Sequence, residues 1–242
     1  MATTFEIQAA EVLPKTVASQ QPATHLTAWL SEFEEKIAAD FRQRTKLDYK
    51  ETLQQIVDAA EPQPGMHVLD AATGSGVIAR QFVGRVGDHG RIIGVDTADR
   101  LEQARLAALS AKVSRRLEWR EAQPDKLPFD NESFDLVTCA MAFHRLPAEA
   151  FLASAYRVLK PGGRLIIADE LAPVQASAWR TAWRQVYYRF IARDEIEANA
   201  KFYQAEALAE MLRAAGFRQQ TVKVLRERSP HDWAFALVKA VK

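Results

Sequence analysis

The chain of 242 residues has a single cysteine, Cys139. One thiol cannot build an internal disulfide framework or a cysteine-based zinc cluster. Charge of one sign is also missing: 32 basic against 31 acidic side chains leave a formal net charge of +1. With no run of like charges, nothing suggests a nucleic-acid footprint, and no nucleic-acid partner is expected. No apolar stretch approaches the roughly 18 residues of a membrane span, so stable membrane insertion is not expected either. The opening Met1-Ala-Thr-Thr-Phe-Glu-Ile7 has no basic segment leading into an apolar run. A reducing, cytoplasmic location is the expectation. The five histidines are scattered without ligand spacing, so no metal is expected.

What is present suits one domain, or one domain with an added cap. Apolar residues make up 48% of the chain, enough to bury a full core. Residues 1–22 are polar, contain Pro14 and Pro22, and read as a loosely held arm. From Ala23 a helical period appears in Leu26, Leu30, Phe33, Ile37 and Phe41. A second helix is expected over 47–60, stopped by Glu61-Pro-Gln-Pro-Gly65. Strands and helices then alternate. Strands are expected at His67–Asp70, Arg91–Asp96, Leu117–Glu121, Phe134–Cys139 and Arg164–Asp169. Helices are expected around Val77–Val86, Arg100–Leu109 and Pro147–Leu159, the last closed by Lys160-Pro-Gly-Gly163. This rhythm means βαβ units and a parallel sheet covered on both faces. Residues 176–203 read as helical and aromatic-rich, and Ala205–Ala215 as a helix ending at Gly216. Arg218–Leu225 and Trp233–Ala240 complete the chain as two strands joined at Ser229-Pro-His-Asp232. The divisions expected are an N-terminal arm and helices (1–60), a Rossmann-like core (61–170), a helical cap (171–204) and a C-terminal helix with antiparallel strands (205–242). The fold class is α/β: a doubly wound sheet, mostly parallel, with an antiparallel pair at its end.

Asp70-Ala-Ala-Thr-Gly-Ser-Gly76 falls where a strand stops and a helix starts. Its glycines let the backbone approach a ligand, and the helix N-terminus presents unpaired N–H groups. Asp96 ends the next strand about 20 residues further on, where a carboxylate can accept both hydrogen bonds of a ribose diol. Two glycines alone would fit an ordinary βα turn; the acid shifts the balance to nucleoside binding. No glycine after Gly76 completes a dinucleotide fingerprint. Asp70 would repel a pyrophosphate and attract an ammonium group. The ligand expected carries a ribose and a positive amine, a description that fits S-adenosyl-L-methionine.

Four motifs in order extend this reading: Val68-Leu-Asp-Ala-Ala-Thr-Gly-Ser-Gly76, Gly94-Val-Asp96, Leu127-Pro-Phe-Asp-Asn-Glu-Ser-Phe-Asp135 and Arg157-Val-Leu-Lys-Pro-Gly-Gly163. Together they resemble the class I S-adenosylmethionine-dependent methyltransferases, specifically the group that includes the ubiquinone and menaquinone C-methyltransferases. The resemblance runs from about Gly65 to Asp169, and the Ala-Gly-Phe ending at Phe217 with two strands after it also matches. It implies a transferase that methylates a small molecule and releases S-adenosyl-L-homocysteine. It implies that Asp70, Ala71, Ala72, Thr73, Gly74 and Gly76 hold the methionine end, and that Asp96 holds the ribose with Thr97 beside the adenine. Glu121 with Ala122 would read the adenine amino group, and Cys139 and Ala140 would line the cofactor near the sulfonium. The chain departs from the pattern twice. Ala72 replaces the first glycine of the turn, and a short insertion precedes Leu127, leaving Gln123 and Asp125 as alternatives for the adenine contact.

Methyl transfer needs alignment and often the removal of one proton. His144, just beyond the fourth strand, is the candidate base, against a purely structural histidine. Histidines 25, 67, 89 and 231 read as surface or packing residues. Trp179, Trp183, Val186, Tyr187 and Phe190 are spaced as one helix face. They read either as core or as a cap over a small apolar or aromatic acceptor, with Trp179, Trp183 and Tyr187 as candidate contacts and Tyr188 and Tyr203 as polar ones. The N-terminal helix pair is the other possible wall. The competing functions are a non-catalytic S-adenosylmethionine-binding protein and an NAD-dependent oxidoreductase. RNA methylation lacks both a basic extension and an Asn-Pro-Pro-Tyr-like element.

Overall fold

The computed structural model describes residues 22–175, 182, 186, 189–190, 198–226 and 233–242. The Trp179, Trp183, Tyr187 and Tyr188 assignments and the Ser229–Asp232 turn lie outside the described residues. Two helices come first, α1 (Pro22–Thr45) and α2 (Tyr49–Ala60). Asp48 caps α2 by accepting the Glu51 N–H at 3.0 Å, and the helix stops at Glu61 in a left-handed conformation. The alternating part follows as β1 (His67–Ala71), α3 (Val77–Val86), β2 (Arg91–Asp96), α4 (Ala98–Ser110), β3 (Leu117–Glu121), β4 (Phe134–Ala140), α5 (Ala148–Val158) and β5 (Leu159–Leu171). The chain ends in α6 (Ala205–Ala214), β6 (Arg218–Arg226) and β7 (Ala234–Val241).

The strands form one seven-stranded sheet in the order β3-β2-β1-β4-β5-β7-β6. β1 to β5 are parallel, while β7 runs antiparallel to both β5 and β6. The order reverses between β1 and β4, so the crevice for a ligand opens at the carboxyl ends of those two strands. Side chains alternate across the sheet. Val68, Ile92 and Leu136 pack with α2 and α3 on one face. Leu69, Ile93, Val137, Cys139 and Ile167 pack with α5 and α6 on the other. β1 is buried along almost its whole length, as a strand covered on both faces must be.

One boundary differs from the sequence reading. Lys160-Pro-Gly-Gly163 does not close a helix; it already belongs to β5, and the pairing with β4 shifts register between Phe134 and Leu136. Gly162 donates to the Lys242 carbonyl at 3.1 Å and Lys242 donates back to that of Gly163 at 3.0 Å, so the segment pairs with a distant strand end even though Gly162 keeps a left-handed φ of +76°.

Candidate functional site

The turn after β1 and the end of β2 are joined directly. The Gly74 N–H donates to Asp96 Oδ2 at 2.8 Å, and the Thr97 N–H donates to Asp96 Oδ1 at 2.8 Å. Thr73 N–H reaches the Val95 carbonyl at 3.0 Å, and Gly76 N–H closes the turn on the Thr73 carbonyl at 2.8 Å. Gly74 and Gly76 have φ of +55° and +72°, which favours glycine at both. Space is open where a Gly74 side chain would stand. α3 starts at Gly76 with no side-chain cap, leaving its first N–H groups to other partners.

Asp70 lies beneath this turn, almost fully buried. Its Oδ2 accepts from Thr73 Oγ1 at 2.5 Å and its Oδ1 from Thr138 Oγ1 at 2.7 Å. The Ala79 backbone in α3 also hydrogen-bonds this carboxylate. Burial pushes its carboxyl up to about 6, although the two hydroxyls and the Ala79 hydrogen bond oppose the shift. Neither threonine was legible as a partner from the sequence alone. Thr138 lies in β4 and meets Asp70 only because those strands pair, Asp70 opposite Thr138.

The other expected cofactor residues gather around the same edge. Glu121 stands opposite Asp96 in the β2–β3 register and is exposed, and Ala122 N–H donates to the Asp96 carbonyl at 3.2 Å. Asp125 instead lines an outer groove with Ala150, Ala153 and Arg157. Thr97 is exposed at the start of α4. Cys139 is fully buried, main chain included, and its thiol is pushed well up by burial, whereas Ala140 beside it is half-buried. Two non-glycine residues with left-handed backbone flank the crevice, Ala72 after β1 (φ +54°) and Met141 after β4 (φ +58°). Such strain persists where the surrounding structure enforces it.

His144 sits on the other face of the sheet, in a short 3-10 turn, Phe143–Arg145. It is 3% exposed, its Nδ1 lies 2.7 and 2.9 Å from the two Asp169 oxygens, and its backbone N–H donates to Oδ2 at 2.8 Å. Glu170 N–H also donates to Asp169, at 2.8 Å. The imidazole stacks on Phe202, with centroids 4.8 Å apart and planes inclined by 10°. Phe202 meets Trp233 edge-on, and Tyr203 packs against Phe143. A small pocket, with space for about one water molecule, is lined by His144, Asp169, Glu170, Lys201, Tyr203 and apolar side chains. Sequence reading missed Asp169 and Phe202 because they follow His144 by a strand and by a long connection. Val186 and Phe190, from the expected aromatic face, are exposed at 42% and 70% and so are not core.

Comparison with known proteins agrees with this arrangement. The model of the methyltransferase domain family matches residues 68–163. A ubiquinone/menaquinone biosynthesis C-methyltransferase, UbiE, of Cereibacter sphaeroides is 31% identical over 175 residues, covering 67% of this chain and 70% of the relative. The chain belongs to the class I S-adenosylmethionine-dependent methyltransferases. Among solved structures, geranyl diphosphate C-methyltransferase from Streptomyces coelicolor has a TM-score of 0.63 at 13% identity, over 79% of this chain and 75% of its own. The [4+2]-cyclase SpnF has a TM-score of 0.64 at 18% identity, over 79% and 80%. These two likenesses speak for the fold alone; methyltransferase membership rests on the domain match and the UbiE relative. Among the described residues no group of side chains could hold a metal, and no helix is long and apolar enough to cross a membrane.

Proposed function

We propose that this methyltransferase modifies a small apolar or aromatic acceptor, with the cofactor held at the β1/β2 edge and the acceptor's reactive group on the His144 side. The observation that carries the reading is the Gly74–Asp96 hydrogen bond, which sets two carboxylates and a run of backbone N–H groups around one open crevice. The residues fit S-adenosylmethionine. Asp70 and Asp96 suit an ammonium and a ribose diol, and the turn itself has no lysine or arginine to receive a pyrophosphate. Of the adenine candidates, Glu121 stands beside Asp96 while Asp125 points to the α5 groove, which supports Glu121 with Ala122. Thr97 and Ala140, with Cys139 packed behind it, complete the proposed contacts with Ala71, Ala72, Thr73, Gly74 and Gly76.

When bound, the cofactor supplies a methyl group on a sulfonium that is already a strong electrophile. The chain's own work is alignment and proton removal. Asp169 fixes the His144 ring through Nδ1 and stabilises the imidazolium that forms when Nε2 takes a proton from the acceptor. The UbiE relative is named a C-methyltransferase of ubiquinone/menaquinone biosynthesis. That supports an apolar ring as acceptor, and the exposed Val186 and Phe190 suit the approach of such a molecule. Cytoplasmic residence fits an enzyme with no spanning helix among its described residues.

The test is transfer of label from methyl-labelled cofactor to a panel of hydroquinones, phenols and enols, with amines as the contrast. Label on the ring or enol acceptors is the expected result. Label on amines alone would reject the acceptor class, and cofactor binding without any transfer would favour a non-catalytic protein.

A further inference from the structure

We propose that Trp119 is a positioning residue for the cofactor turn, its indole holding residues 73–76 against the end of β2. The proposal rests on the reading of that turn as the cofactor site. Trp119 lies in β3, an edge strand exposed along most of its length, and stands opposite Gly94 in the β2–β3 register. Its ring occupies space that two glycines leave. A Cβ on Gly94 would stand 2.5 Å from Trp119 Cζ3, and one on Gly76 would stand 2.4 Å from Trp119 Cη2. Gly76 also needs its left-handed backbone, but Gly94 has no positive φ. A strand interior normally favours a side chain over glycine, so what glycine provides at Gly94 is room for the ring.

The slot is continuous with the site. The same Cβ position on Gly94 is 3.0 Å from the Thr73 methyl, and that on Gly76 is 3.3 Å from the Ala104 methyl of α4. Thr73 holds Asp70 through its hydroxyl, and the next residue, Gly74, donates to Asp96. The indole therefore stands against the turn at Gly76 and against β2 at Gly94. Without it, the Thr73 methyl loses its wall, and both carboxylate contacts depend on a turn free to shift. Ordinary core packing would make Trp119 matter for thermal stability alone. A positioning role makes it matter for ligand affinity in a protein that is still folded.

Calorimetry with S-adenosylhomocysteine on the full chain separates the two, at temperatures well below each variant's unfolding transition. Trp119→Phe should bind within about threefold of the wild type, whereas Trp119→Leu should bind about tenfold more weakly. Gly94→Ala should also lose about tenfold, because its methyl collides with the ring. The two changes together should cost clearly less than the sum of the single costs, since the methyl then enters space the ring has vacated and meets only Thr73. Amide exchange at Gly74 should quicken in Trp119→Leu before any ligand is added. Folded Trp119→Leu with wild-type affinity, beside a loss in Asp96→Ala, overturns the proposal while sparing the site. Fully additive costs in the Gly94→Ala pair overturn it too. Unchanged affinity in Asp96→Ala would overturn the site reading and this proposal with it.

Discussion

The two parts of the proposed site are built on opposite faces of one sheet and by different means. On the α2/α3 face, the turn, Asp70 and Asp96 come from a short stretch of chain and are joined by backbone N–H groups and hydroxyls. On the α5/α6 face, His144 depends on Asp169 and on Phe202, which arrive from β5 and from the segment before α6. The first half is set mostly by local geometry, with the Thr138 hydroxyl added from β4. The second is set by tertiary contacts between side chains. A scaffold of this kind can keep one cofactor while its acceptor end diverges, and the similarity in fold to proteins named for different reactions is consistent with that.

The largest expected effect separates the halves outright. His144→Ala should lower the turnover rate by roughly 100- to 10,000-fold, the range typical of losing a general base, while the dissociation constant for S-adenosylhomocysteine stays near the wild-type value. Asp169→Asn should follow in the same direction, because an amide can hold the ring but cannot stabilise its charged form. Equal losses in rate and cofactor affinity would make the pair a structural clamp across both halves.

Next comes Asp70, where stability and binding pull in opposite directions. Its carboxyl is raised to about 6 by burial, so the folded protein holds this proton where the unfolded chain, near 3.8, has released it. The resulting penalty is absent below about pH 3.8, grows as pH rises towards 6, and is full above that; 2.2 units correspond to about 3 kcal/mol as an upper bound. Asp70→Asn keeps an acceptor and gains a donor for the two threonine hydroxyls. Its stability advantage over the wild type should therefore widen from pH 4 to pH 7 in parallel thermal melts, while cofactor affinity falls. In the wild type, affinity should drop as pH goes below about 6, because a neutral carboxyl no longer attracts the ammonium group. A mutant no more stable at pH 7 than at pH 4, each against wild type, would mean that Asp70 is already well solvated or paired.

Asp96→Ala ranks third. Losing charge-assisted bonds to the diol should cost about 1.5–3 kcal/mol of cofactor binding, read by calorimetry. Glu121→Ala should cost less than that but more than Asp125→Ala. The reverse order would move the adenine contact into the insertion before Leu127.

The sequence disclosed the first half far better than the second, for a physical reason. Hydrophobic period, strand-to-helix turns and the spacing from Gly76 to Asp96 are short-range features, so the strand order and the cofactor turn could be read residue by residue. Thr138, Trp119 and Asp169 act through sheet register, which brings together residues far apart in the chain and leaves no periodic mark. The same holds for β5, whose early residues pair with the C-terminal residue. The aromatic stretch around Trp183 was legible only as a helical face, since one periodicity serves a core and a cap equally well.

Ala72 carries the smallest effect and tests whether even the local half is free of compromise. It adopts φ +54°, where a Cβ costs about 1 kcal/mol relative to glycine. Against this, its methyl packs partly into the α5/α6-side core, and a half-buried methyl contributes about 0.4 kcal/mol at the usual 0.8 per buried carbon. Glycine also has more freedom to lose on folding, which offsets part of the strain relief. The balance leaves Ala72→Gly more stable by about 0.5 kcal/mol at most, or 1–2 °C in melting temperature for a chain of this size. Cofactor affinity should hold or tighten slightly, because Asp70 and Thr73 flank a turn that no longer works against its own backbone. A melting temperature lowered by several degrees would mean that the methyl's packing outweighs the strain. The alanine would then be a core residue that happens to sit in the turn, and its packing would join Thr138 and Trp119 among the tertiary contacts that shape the local half.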